Sequence, residues 1–119
     1  MDPLIRIAYE WAIRCFGRAH VHDPRTRALR CVEETIEMAQ AYEIDPSILH
    51  MMVDKIYARP RGNAHQEIGG VLLTAYVLCA ARGSNPESLF LDELCRVLGK
   101  PPEHFAKRNA DKMEMGFSA

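Results

Sequence analysis

Residues 31–40, CVEETIEMAQ, put three glutamates, Glu33, Glu34 and Glu37, into five positions. Residues three and four apart are neighbours on a helix, so Glu37 can share a cation with either Glu33 or Glu34. Like charges at that spacing repel unless something compensates them. In one reading the strip is solvated and paired with Arg27 and Arg30 of the same segment. In the other it is one wall of a site for a hard divalent cation, Mg²⁺ or Mn²⁺, which prefers carboxylate oxygens and water. The second reading needs acid from another helix. Glu67, directly before the apolar run IGGVLL, is the candidate; a carboxylate there also interacts favourably with a helix N-terminus. Gly69 and Gly70 follow it. Two glycines inside a helix cost roughly 1 kcal/mol each relative to alanine. They make sense where a packed helix or a ligand approaches the backbone closely.

The elements that must position these residues read as helices throughout. The first helix spans Pro3 to Phe16 and stops at Gly17, with Ile5, Ala8, Trp11, Ala12 and Cys15 on one side. The second opens at Asp23-Pro24, an N-cap followed by proline, and continues to about Tyr42 over an apolar stripe of Leu29, Val32, Ile36 and Ala39. The glutamates run along one edge of that stripe. A third helix starts at Asp45-Pro46 and ends near Ala58, a fourth runs from Asn63 to about Arg82, and a fifth runs from Asn85-Pro86 to Leu98. The last spans about Glu103 to Met115 and carries Asn109 and Lys112. The fourth is the most apolar and is expected at the centre. With no strand alternation, the fold class is all-α: a helical bundle of five to six helices in a single domain, 1–119.

Composition narrows the function. The chain has 119 residues, 48% of them hydrophobic, which suits one compact domain with a real core. Fifteen basic against sixteen acidic residues give a net charge of -1, which argues against stable binding of nucleic acid. The four cysteines, Cys15, Cys31, Cys79 and Cys95, show no CxxC and read as small core residues in a reduced cytosol. The N-terminus lacks the pattern of a signal peptide, and VLLTAYVLCAA is too short to span a bilayer, so a cytoplasmic location without membrane attachment is expected. His20 and His22 read as loop residues, and Trp11 and Tyr76 as core.

EETIE in the second helix, Glu67 opening the next long apolar helix, and Asn109 with Lys112 in a late helix together resemble the MazG-like all-α nucleoside triphosphate pyrophosphohydrolases. The likeness covers roughly residues 25–116. It implies hydrolysis between the α- and β-phosphates, giving a nucleoside monophosphate and pyrophosphate, with Mg²⁺ (or Mn²⁺) as cofactor. It also implies Glu34, Glu37 and Glu67 as metal ligands, Glu33 as a further ligand or the base that orients water, and Asn109 and Lys112 as contacts to the triphosphate. Lys107, Arg59 and Arg61 are weaker candidates for that contact. A homodimer or homotetramer, with helices from different chains completing the bundle, is implied as well. The sequence departs from the family's ExxD pattern at Gly70, and Gly116 stands where a late basic residue is usual. Those departures leave open a non-catalytic helical module for nucleotide binding or protein interaction.

Overall fold

A computed structural model describes residues 1–118. Among them are seven helices and no strand: α1 (Pro3–Phe16), α2 (Arg18–Val21), α3 (Pro24–Ala41), α4 (Pro46–Tyr57), α5 (Ala64–Ala81), α6 (Pro86–Leu98) and α7 (Pro102–Glu114). Five of the seven begin on proline, which suits the first helical position because its missing N–H has no intrahelical partner there. The preceding residue supplies the cap in several cases. Asp2 Oδ1 accepts from Leu4 N at 2.8 Å, Asp45 Oδ1 from Ser47 N at 2.8 Å, and Asn63 Oδ1 from Gln66 N at 3.0 Å. Asp23 accepts from both the Arg25 amide and the Thr26 hydroxyl.

The helix that sequence periodicity does not reveal is α2. Gly17, at φ 83°, turns the chain out of α1, and the His22 amide then closes a single turn on the Arg18 carbonyl at 2.9 Å. Four residues are too few to show a period. His20 therefore lies on a helical turn, not in a loop.

The chain divides into two compact units, one made of residues 1–37 with residues 91 onward, the other of residues 38–90. The first holds the main core: Cys15, Leu94, Val97 and Phe105 are buried, with Leu4, Ala8, Trp11 and Phe16 packed on them. Trp11 meets Phe105 edge to face at 5.2 Å and Phe16 at 5.9 Å, arrangements that suit the aromatic quadrupole. Within this unit α1 packs against α7 and α2.

The second unit corrects two expectations. No residue of α5 is buried, and Leu73 and Val77 are 65% and 59% exposed. The most apolar helix is thus not central. It is apolar on all sides, a pattern normally found only in helices enclosed by others, and this chain's packing leaves it open. Tyr76 is exposed for the same reason, as are Met51 and Met52 on α4. Among the cysteines only Cys15 is buried; Cys31 and Cys95 are exposed.

Candidate functional site

At about 100° per residue, Arg27, Arg30, Glu34 and Glu37 fall within about 80° of one another around α3. On this stripe Arg27 and Arg30 are half-buried and Glu34 and Glu37 are exposed. Together with Glu33 and with Asn109 and Lys112 of α7, the stripe lines a cavity of about 500 Å³ in the first unit, walled by Trp11, Phe16 and Phe105. The apolar stripe of α3 is buried only in part: Ala39 is buried and Leu29 half-buried, but Val32 and Ile36 are about half exposed. The core of this unit is filled by α1, α6 and α7, and α3 offers it charge instead.

Five of the six residues singled out in the sequence, Glu33, Glu34, Glu37, Asn109 and Lys112, therefore share one cavity. Lys112 Nζ donates to Glu33 Oε1 at 2.8 Å, and Arg30 Nη1 lies 3.5 Å from the same oxygen. The Glu33 side chain is only 15% exposed, so the two cations hold a largely desolvated carboxylate in one orientation. Asn109 Nδ2 donates to His20 Nε2 at 3.3 Å, so α2 braces α7 at this point. Arg96 forks onto Glu93 at the cavity's edge, with bonds of 2.9 and 2.6 Å.

Glu34 has no ion-pair partner among the described residues. Its pKa is raised by partial burial first, and then by the charges of Glu37, Glu33 and Glu93, against the opposing pull of Lys112. A cation between these carboxylates would relieve that repulsion. The expected pairing of Arg27 and Arg30 with the glutamate strip forms in part. Arg30 goes to Glu33, and Arg27 lies over the Phe16 ring at 5.0 Å.

Glu67 stands in the second unit, in the first turn of α5. Its carboxylate folds back over Gly62, where an added Cβ would sit 2.6 Å from Oε1 and push the side chain aside. Arg59 and Arg61 line the same hollow. Among the described residues no group of three His, Cys, Asp or Glu is gathered closely enough to hold a metal ion. A Cβ at Gly69 or Gly70 would meet nothing within 4 Å, so tight packing in this chain does not account for the two glycines.

Arg27 and Arg30, expected from the sequence as partners for the acids, are cavity residues as well; the spacing 27, 30, 34, 37, which repeats one helical face, carries that signal. Trp11, expected in the core, both packs on the core and lines the cavity. No helix among the described residues is long and apolar enough to cross a membrane. Comparison with protein families, with curated proteins and with solved structures gives no match to this chain.

Proposed function

We propose that the chain is a nucleoside triphosphate pyrophosphohydrolase that works with Mg²⁺ or Mn²⁺ and cleaves between the α- and β-phosphates. The observation that carries this reading is the shared cavity, which brings Glu33, Glu34, Glu37, Asn109 and Lys112 together from two helices. Glu34 and Glu37 would hold the cation. The chemistry that such an ion supplies when bound is neutralisation of phosphate charge and activation of water. Mg²⁺ commonly takes only one or two protein carboxylates plus water and substrate phosphates, so the reading does not depend on Glu67 or on an acid at position 70. Glu33 Oε1 is occupied by Lys112 and Arg30, and its second oxygen would accept the proton of the attacking water. Lys112 would orient that base, in addition to the contact with the triphosphate implied by the sequence. Asn109 would reach the nucleotide from the same face of α7.

A homodimer or homotetramer belongs to the proposal. The outward apolar surfaces of α3, α4 and α5 support it, because exposed apolar area on this scale marks an interaction surface. Two copies covering one another would bury what one chain leaves in water.

The second reading, a helical module that binds nucleotide without turning it over, is favoured by Gly70 and by the Lys112–Glu33 bond, which occupies a cation expected on the phosphates. Pyrophosphate release from a panel of nucleoside triphosphates, with Mg²⁺ or Mn²⁺, separates the two. The hydrolase is expected to require metal and to lose at least about 100-fold in rate in Glu37→Gln. A folded, metal-supplied protein that turns over none of the panel would leave the binding module.

A further inference from the structure

A guanidinium that is buried without a partner is costly unless a ligand completes it. Two partly buried guanidiniums that keep unpartnered N–H groups, Arg27 and Arg30, line the cavity of the first unit. Among the described residues, Arg27 Nε and Nη2 and Arg30 Nε are buried with no hydrogen-bond partner, and Arg30 Nη1 has only the 3.5 Å approach to Glu33. Arg30 Nη2 is spent on the Phe117 carbonyl. The nearest acid in sequence to Arg27, Asp23, is committed to the Arg25 amide and the Thr26 hydroxyl at the start of α3.

From this geometry we propose that Arg27 and Arg30 form a phosphoryl-binding site, a clamp for the phosphate chain of the nucleotide, on the same stripe of α3 as the cation-binding glutamates. The proposal rests on the nucleotide reading of this cavity and assigns the anion's contacts to residues that reading did not use. Three features carry it. The Phe16 ring, 5.0 Å below the Arg27 guanidinium, fixes the plane of the fork. A planar fork with free N–H groups matches phosphate oxygens two at a time, which a lysine cannot do. The clamp also precedes the acids by one to two helical turns: Arg30 to Glu34 is a rise of about 6 Å, and Arg27 to Glu34 about 10 Å. A cation at Glu34 and Glu37 and phosphoryl oxygens at the arginines would then sit along one line of the helix. Burial, and next the neighbouring charge of Arg30, pull the Arg27 pKa down, the reverse of what a partner within the chain would do.

The test is calorimetric titration of the 119-residue chain with inorganic pyrophosphate in the absence of divalent metal. Wild type is expected to bind, with affinity falling as salt rises. Arg27→Gln and Arg30→Gln should each weaken binding at least about tenfold, and Arg27→Lys should fall between. Glu37→Gln should bind as well as wild type or better, since it removes a repelling charge. Arg27→Gln should also keep or raise the melting temperature of the ligand-free protein, a result that a purely structural arginine would not give. Wild type that fails to bind pyrophosphate, or Arg27→Gln that binds it equally well, would overturn the clamp. Pyrophosphate bound through Arg27 by a protein that hydrolyses no nucleoside triphosphate would instead defeat the hydrolase and leave the clamp standing. Metal-dependent turnover unchanged in Arg27→Gln would do the opposite.

Discussion

Lys112 Nζ donates to Glu33 Oε1 at 2.8 Å across 79 residues of sequence, tying α7 to α3 inside the first unit. Both side chains are largely withdrawn from water, at 25% and 15% exposure. A charge-assisted bond in that setting contributes more than a surface ion pair. It also fixes one glutamate of the EETIE cluster against α7.

Lys112→Met should accordingly destabilise the protein by about 1–3 kcal/mol, because it leaves the Glu33 carboxylate desolvated and short of a partner. Adding Glu33→Gln should restore much of the loss. Denaturant unfolding of both single variants and the double variant measures the coupling, and simple additivity of the two changes would count against the bond as drawn.

Glu34 supplies the dependence on pH. Its folded-state pKa lies above the ordinary glutamate value, through burial first and like charges second. The carboxyl therefore adds stability while protonated, at pH below the unfolded value, and that contribution is lost as pH rises through the raised folded pKa. Glu34→Gln should raise the melting temperature near neutral pH without metal, and should change it little at acid pH, below the ordinary glutamate value. Added Mg²⁺ should stabilise wild type more than the variant, since a ligand that binds only the folded state raises apparent stability. Thermal melts at two pH values, with and without metal, read all of this.

The outward apolar residues of α5 bear on assembly. Sedimentation is expected to give a dimer or tetramer at micromolar concentration, and Leu73→Glu with Val77→Glu, both on the most exposed surface of that helix, should shift it towards smaller species. A wild-type chain that sediments as a monomer throughout would remove the oligomer from the proposal.

Glu43 is the single non-glycine residue with positive φ among the described residues, at 58°, just after α3. Its amide bonds to the Gln40 carbonyl at 2.9 Å and the next amide to Ala39 at 3.1 Å, so it stands where glycine is the usual helix terminator. Glu43→Gly should stabilise by about 1 kcal/mol by relieving a left-handed conformation that a side chain disfavours. Chemical denaturation measures it.

Helix type and position were legible along the chain because local rules decide them. Asp23-Pro24, Asp45-Pro46 and Asn63 marked true starts, and the stop at Gly17 was correct, since capping and proline geometry act over four or five residues. The grouping of Glu33, Glu34 and Glu37 on α3, and of Asn109 and Lys112 on α7, was legible for a related reason, fixed helical spacing; that the two groups line one cavity was not. The short turn at Arg18–Val21 carries no period, so no pattern announced it.

What the sequence by itself determined is the set of helices and the order of charges along each stripe. Only the tertiary structure decided which stripe of α3 lines the cavity. Periodicity identifies an apolar face and a charged face but does not say which one the rest of the chain will meet. Here α1, α6 and α7 fill the core of their own unit. The face of α3 carrying Arg27, Arg30, Glu34 and Glu37 lines a cavity, and Val32 and Ile36 are left to the outside. Burial is a property of neighbours brought together over long sequence distances, and that is why Lys112 meets Glu33 while Arg27 meets an aromatic ring in place of an acid.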